Sequence, residues 1–123
     1  MPQGVSFRRV PFPLASPPVA LTLVSAEYAE AMWVELGFDR AVDISAIVVD
    51  QIEVEDGPVS NAIWQGSGAA TLVGPTVVRV PVTEFDPSSS SGTVLNATAA
   101  TGIVAVDDGG TWAGVSELGL PFP

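Results

Sequence analysis

The chain contains no cysteine, no histidine and no lysine. The lack of cysteine excludes disulfides, thiolate zinc sites and thiol nucleophiles. The lack of histidine and lysine removes most pairings of a nucleophile with a general base. Charged residues make up only 15% of the sequence, against about 25% in ordinary domains. These absences predict a protein that is not an enzyme and that uses no cofactor.

Positive charge is also scarce. Four arginines face 14 acidic residues, which gives a net charge of −10. A phosphate backbone or an anionic membrane would repel such a surface, so we expect neither nucleic acid nor membrane as a partner. The charge is unevenly divided along the chain. Residues 1–18 hold two arginines and no acid, a charge of +2, whereas residues 19–123 hold two arginines and 14 acids, a charge of −12.

The sequence predicts two regions. Residues 1–18 are expected to form an extended Pro-rich arm, because prolines between positions 11 and 18 push their neighbours towards β or polyproline conformations. Residues 19–123 are expected to form one β-sandwich domain with a short extended C-terminal tail. The N-terminus does not resemble a signal peptide, and prolines interrupt the apolar stretch 10–24, so we expect neither a targeting segment nor a membrane helix.

Apolar residues alternate with polar ones from residue 19 onwards, and Gly, Pro and Asp punctuate the pattern. This pattern predicts an all-β fold, an immunoglobulin-like sandwich of about seven short strands. The predicted strand segments are 19–24, 32–38, 47–54, 62–65, 69–73, 76–82, 93–98 and 103–106. The first two are expected to form a hairpin across 27–30, with a helix over 25–32 as the alternative. Because proline cannot donate to a ladder, Pro81 predicts an edge strand or its exposed side.

One stretch resembles a known family. Segment 32–43, MWVELGFDRAVD, is followed by IEVED at 52–56, and together they resemble the bacterial immunoglobulin-like repeats. In those repeats an alternating strand ends in Phe-Asp/Ser-x-x-Val before a second strand. The resemblance implies a β-sandwich of the kind that occurs in secreted surface proteins and in phage virion proteins. It implies no functional residues.

The acidic β domain with a proline-rich arm is also similar in kind to minor structural proteins of tailed phages, such as head decoration proteins. This resemblance implies a structural role in a virion, as a capsid decoration, fibre or connector component. The expected partner is protein, either further copies in a homo-oligomer or other virion subunits. The alternative is a surface or adhesion module, extracellular or on the cell surface, that recognises a glycan or a protein.

The arm and the tail supply the candidate assembly residues. A Pro-Phe-Pro segment presents a phenyl ring at low cost in conformational entropy, and it occurs at 11–13 and at 121–123. Two arginines in the arm can contact the acidic body of an adjacent copy. The predicted interface residues are Phe7, Arg8, Arg9, Phe12, Leu14 and Phe122.

Two further sites have competing interpretations. Trp33 is predicted to oppose the apolar face of its strand, so it is a candidate platform for a sugar; the alternative is that tryptophans fill the core or an interface. Asp56, Asp107 and Asp108 could hold calcium if their turns met in space. The spaced Asp motif of calcium loops is missing, which favours solvated turns and no metal.

Overall fold

The computed structural model describes residues 17–58, 62–86 and 92–123. Five of the predicted interface residues lie outside these ranges, namely Phe7, Arg8, Arg9, Phe12 and Leu14. Within the described residues the fold is all-β, as predicted, and its two curled antiparallel sheets are consistent with a β-sandwich.

Ten short strands make up the described fold. They are β1 Leu23–Ala29, β2 Trp33–Phe38, β3 Val42–Asp43, β4 Ile52–Asp56, β5 Ala62–Gly66, β6 Thr71–Gly74, β7 Val77–Asp86, β8 Thr93–Ala97, β9 Val104–Ala105 and β10 Val115–Gly119. A single 3₁₀ turn, Val49–Gln51, precedes β4. The strand count is higher than predicted, because β3, which pairs with the predicted strand β9, was not expected and β10 lies in the predicted tail.

Strand β7 belongs to both sheets. Its first half, 77–81, lies between β2 and β6, and β1 completes that sheet on the far side of β2. Its second half, 82–86, pairs with β5, which leads on to β4, β8 and β10. The chain therefore passes from one layer to the other within one strand.

Pro81 lies in this central strand, so the prediction of an edge strand is wrong. Val82 donates its N–H to the carbonyl of Met32 in the turn before β2, so the proline nitrogen faces the opposite side of β7. On that side, β6 pairs with β7 as far as Arg79 and β5 begins at Val82. Proline is tolerated here because its missing N–H falls in the gap between two partner strands.

The core lies between the two layers and follows the predicted alternation. In β2 the side chains of Val34, Leu36 and Phe38 are buried, and in the first part of β7 those of Val78, Val80 and Val82 are buried. The fully buried apolar side chains include Val34, Leu36, Ile52, Val54, Val78, Val80, Leu95 and Ile103. Burying each such side chain contributes roughly 1.5–3 kcal/mol, and this apolar contact holds the sheets together.

The first hairpin forms, but its turn is displaced from the predicted position. Strand β1 continues through 25–29, where the prediction placed a turn or a helix, and the chain reverses at 30–32. Ala31 has a φ of 62° and the N–H of Met32 donates to the carbonyl of Ala29, which closes a tight turn. Met32, the first residue of the predicted strand 32–38, is 63% exposed and lies in the turn, so the buried face of β2 begins at Val34.

Two other predictions differ from the structure. Segment 47–54 is a strand only from Ile52, because the 3₁₀ turn occupies its first half and leaves Val48 43% exposed. Strand β10 was not predicted, since Glu117 has a φ of 56° and a register shift between Val115 and Leu118 interrupts the alternation. In the described parts of the chain, no helix is long and apolar enough to cross a membrane.

Candidate functional site

The predicted arm meets the β domain at a cluster that we call the root: Arg40, Asp107 and Asp108 together with residues 19–22. Arg40 Nη1 lies 2.6 Å from a carboxylate oxygen of Asp107 and 3.0 Å from one of Asp108. Its Nη2 donates to the carbonyl of Val19. One guanidinium thus joins the acidic turn after β9 to the point where the chain enters the domain.

Backbone groups complete the root. Asp108 accepts hydrogen bonds from the N–H of Val19 at 3.0 Å and of Gly110 at 2.8 Å. These two N–H groups, with Arg40 beside them, lower the pKa of Asp108. Asp108 therefore stays ionised, and keeps its contacts with Arg40 and the N–H of Val19, at pH values below the usual aspartate pKa near 4. A side chain on Gly110 would collide with the carbonyl of Val19, so only glycine permits this approach.

The root is built on the core. Leu21 is buried, and its N–H donates to the carbonyl of Thr111 at 2.9 Å. The next residue, Trp112, is 3% exposed and meets Phe38 edge to face, with ring centroids 5.2 Å apart. An aromatic pair of this kind stabilises the core beyond the burial of its two rings, and the root lies directly against it.

The opposite end of β1 borders a groove of about 430 Å³, which we call the Tyr28 groove. Its walls are Glu27, Tyr28, Glu30, Thr93, Leu120 and Pro121. The groove combines two carboxylates with an apolar surface made by the phenol ring, a leucine and a proline. Leu23, next to the root, and Tyr28 are five residues apart in β1, which at about 3.3 Å per residue places the groove about 16 Å from the root.

Tyr28 is fixed in the wall by two hydrogen bonds. Its hydroxyl donates to Asp56 at 3.0 Å and accepts the N–H of Ala31 at 2.8 Å. Burial raises the pKa of Tyr28 to about 12, and the hydrogen bond to Asp56 and its negative charge act in the same direction. The phenol is therefore neutral at physiological pH and continues to donate to Asp56, which is only 1% exposed.

Both arginines of the β domain are already bound. Arg40 pairs with Asp107 and Asp108, and Arg79 pairs with Glu35. Residues 19–123 contain no other lysine or arginine. A cation for Glu27 and Glu30 must therefore come from outside this domain, from solvent, from the N-terminal segment or from another molecule.

A second groove, of about 380 Å³, lies between β4, β8 and β10, and most of the residues that line it are polar. Asp50, Gln51, Glu53, Asn96 and Thr98 are among its walls, with Ala97, Val115 and Ser116. Several of these groups already bond one another: the Thr98 hydroxyl donates to Gln51 Oε1 at 2.7 Å. It offers less apolar surface to an aromatic or proline-rich segment than the Tyr28 groove does.

Trp33 lies half-buried on the outer face of β2, opposite Pro81 on β7. The guanidinium carbon of Arg79 is 4.4 Å from the centre of its ring. Two nitrogens of Arg79 donate to one carboxylate oxygen of Glu35, at 2.8 and 2.6 Å, and hold it there. One face of the indole is therefore stacked against an arginine, which leaves less of the ring for a sugar than a bare platform would.

The three acids weighed for calcium have partners of their own. Asp107 and Asp108 bind Arg40, and Asp56 accepts the Tyr28 hydroxyl. Across residues 17–58, 62–86 and 92–123, no group of three or more His, Cys, Asp or Glu is arranged to hold a metal ion. The structure thus does not bring these acids together as a calcium site.

Phe122 packs half-buried against the core of its own domain. Its backbone forms an isolated bridge to β1, with hydrogen bonds to Ala26 of 2.6 and 2.8 Å. The bridge lays the C-terminal residues along β1 and brings Leu120 and Pro121 into the Tyr28 groove. The predicted contact of Phe122 with a neighbouring copy stays a prediction.

Sequence reasoning missed two important groups. Arg40 was assigned to a polar connection, yet it joins residues 67 positions apart at the root. Tyr28, the only tyrosine in the chain, was predicted to lie in a turn, but it lies in strand β1. The excess of acids over arginines in residues 19–123 could have indicated Arg40, because each arginine of the domain is expected to meet a carboxylate.

Comparisons with known proteins add no assignment. No protein-family model matches this chain, and no match is found among the curated proteins or the solved structures.

Proposed function

We propose that this chain is a non-enzymatic assembly protein in which the N-terminal arm of one copy binds the Tyr28 groove of the next. The observation that carries the proposal is the division of charge. Arg8 and Arg9 lie in residues 1–18, while the domain has a charge of −12 and both of its own arginines are bound. Opposite charges on two parts of the same chain favour association between copies and fix its direction.

The chemistry of the two surfaces is complementary. Around its arginines the arm carries phenylalanine, proline and leucine, in the sequence VSFRRVPFPL at 5–14. The groove offers Glu27 and Glu30 to the guanidinium groups and the apolar sides of Leu120 and Pro121 to the rings. Arginine forms two parallel hydrogen bonds with a carboxylate, which gives such a contact a defined geometry.

The positions of root and groove favour a neighbouring copy over the same chain. Residues 17 and 18 precede the root, at one end of β1, whereas Tyr28 and Glu30 lie at the other end. An arm that served its own groove would have to run alongside β1 from the root to the groove. A donor and an acceptor on different parts of the surface produce head-to-tail contacts, which close into rings or continue as filaments.

The more specific part of the proposal, the role in a virion, rests on the sequence resemblances. An immunoglobulin-like sandwich in a phage virion, as a decoration, fibre or connector component, is the role implied by the resemblances described above. A module that binds glycan through Trp33 is the alternative. It is less favoured because Arg79 covers one face of that ring.

The proposal is tested by reversing the charge of the arm in the full-length protein. Arg8→Glu together with Arg9→Glu should reduce the solution mass, measured by light scattering after size exclusion, because the arm would then repel the acidic groove. Raising the salt concentration from about 0.05 to 0.5 M should weaken the wild-type assembly in the same direction, since ions screen exposed charges.

A matched charge exchange identifies the groove. On its own, the double substitution Glu27→Arg and Glu30→Arg should also reduce the solution mass. Combined with the arm reversal, it should restore the mass of the wild-type assembly. Arg substitutions at Asp50 and Glu53, in the polar groove, are the control and should rescue nothing. A monomeric wild-type chain, or an assembly unchanged by the arm reversal, would contradict the proposal. A monomer that binds glycans and loses them in Trp33→Ala would support the alternative.

A further inference from the structure

Apart from the small β3–β9 pair, the sheets of the described residues leave four strand edges, and three of these carry acidic residues. The outer edge of β1 carries Glu27, and the bridge to Phe122 covers part of it. Strand β10 carries Glu117 at its register shift. The second half of β7 carries Glu84 and Asp86. Charged residues on an edge strand hinder its pairing with another chain, so these three edges are protected.

The fourth edge, β6, lacks this protection. Within the described residues its only paired neighbour is β7, so its other side is an open edge. Leu72 is 45% exposed and Val73 is 49% exposed, side by side on a strand of four residues. The sequence carries no charged residue between Asp56 and Arg79, in a chain that is otherwise strongly acidic.

We infer that β6 pairs antiparallel with β6 of a second copy about a two-fold axis, which joins one sheet of each copy into a continuous sheet. An antiparallel strand is complementary to itself, because a two-fold rotation places its N–H groups opposite the carbonyl groups of the partner. The contact would add apolar packing between Leu72 and Val73 of the two copies. With four residues on each side, we expect a weak dimer.

Charge selects β6 as the edge at which a second copy can pair. Copies of a chain with a net charge of −10 repel one another. Antiparallel pairing at any of the other three edges would also bring carboxylates close together. Of these four edges in the described part of the chain, β6 alone allows two copies to approach without placing acids opposite acids. The N-terminal arm is a poorer occupant, because Arg8 and Arg9 would find no carboxylate on β6.

This contact is independent of the proposed arm contact and differs from it in symmetry. The arm joins unlike surfaces head to tail, whereas β6 joins like surfaces. The arm contact is electrostatic and should weaken with salt, while the β6 contact is apolar and should not. The two contacts can therefore be separated experimentally, and failure of one does not decide the other.

The test uses full-length protein with the arm reversed by Arg8→Glu and Arg9→Glu, so that only β6 remains to join copies. We expect a concentration-dependent dimer by sedimentation equilibrium. Adding Leu72→Glu and Val73→Glu should raise its dissociation constant at least about tenfold, because like charges then face each other across the axis. Val48→Glu, at a similarly exposed apolar residue away from β6, is the control and should leave the dimer unchanged.

Mixing provides the decisive variant. The glutamate pair at 72 and 73 and the corresponding pair Leu72→Lys and Val73→Lys should each be monomeric alone and should form a one-to-one heterodimer together. Backbone amides at 71–74 of the parent should also gain protection from hydrogen exchange as concentration rises about 100-fold. A monomeric parent whose 71–74 amides exchange equally at both concentrations would overturn the inference. So would a dimer that neither pair affects.

Discussion

The two ends of the β1–β2 hairpin are both acidic, but the carboxylates at one end are paired with an arginine and those at the other end are not paired with an arginine of the domain. At the root, Asp107 and Asp108 are bound by Arg40, and backbone N–H groups complete the cluster. At the Tyr28 groove, Glu27 and Glu30 have no ion pair with either arginine of the domain. The difference indicates that the root is part of the folded structure, whereas the groove has charge available for another molecule.

The largest expected effect tests how firmly the root is built. Trp112→Ala should lower the free energy of unfolding by about 3–5 kcal/mol, because it removes a buried ring and its edge-to-face contact with Phe38. Leu120→Ala, in the half-buried wall of the groove, should cost about 1 kcal/mol. Urea unfolding followed by fluorescence measures both variants. Equal costs would show that the two ends are equally well packed and that the comparison fails.

An intermediate effect is expected where the groove meets the core. Tyr28→Phe removes the hydroxyl that donates to the buried Asp56 and accepts from Ala31. The loss should be roughly 1–2 kcal/mol, because a buried carboxylate then lacks one of its donors. Thermal or urea unfolding at pH 7 measures it. An unchanged free energy of unfolding would mean that Asp56 does not depend on this hydrogen bond.

The same tyrosine gives the domain a dependence on alkaline pH. Its pKa is raised from 10.0 to about 12 in the fold, so the stabilisation is complete below about pH 10 and is lost as the pH rises towards 12. The chain has one tyrosine, so its ultraviolet absorbance reports this phenol alone. We expect its midpoint near 12 in the folded protein and near 10 in urea. The Phe variant should lack this part of the pH dependence.

The smallest effect on stability is expected for the groove acids themselves. Glu27→Gln with Glu30→Gln should change the free energy of unfolding by no more than about 0.5 kcal/mol, because neither carboxylate pairs with an arginine of the domain. Association between copies should nevertheless weaken. A large loss of stability would show that these acids are used within the fold, and would remove the contrast with the root.

Local patterning was enough to predict much of the fold. The alternation over 32–38 and 76–82 predicted two strands, and in the structure Val34, Leu36, Val78 and Val80 are the buried side chains of β2 and β7. The strands that were missed or shifted involve left-handed residues and register shifts. Ala31 in the turn and Glu117 in the bulge adopt positive φ although neither is glycine, so the residue types did not predict either feature.

The site was less predictable, because it depends on contacts between distant residues. Nothing near Arg40 in the sequence indicates that it binds Asp107, 67 positions away, and nothing near Tyr28 indicates Asp56. Charge counting did anticipate the general outcome, since two arginines could satisfy only a few of 14 acids. The identity of the acids that have no arginine partner could be learned only from the structure.

Strand β7 has a mechanical consequence for the whole domain. Its residues 77–81 are held by β2 and β6 in one layer, and residues 82–86 are held by β5 in the other. Neither layer can peel away as a separate unit while β7 stays intact, because separation would tear the ladder on both sides of Pro81. Tension applied to one sheet is thus transmitted through a continuous backbone to the other.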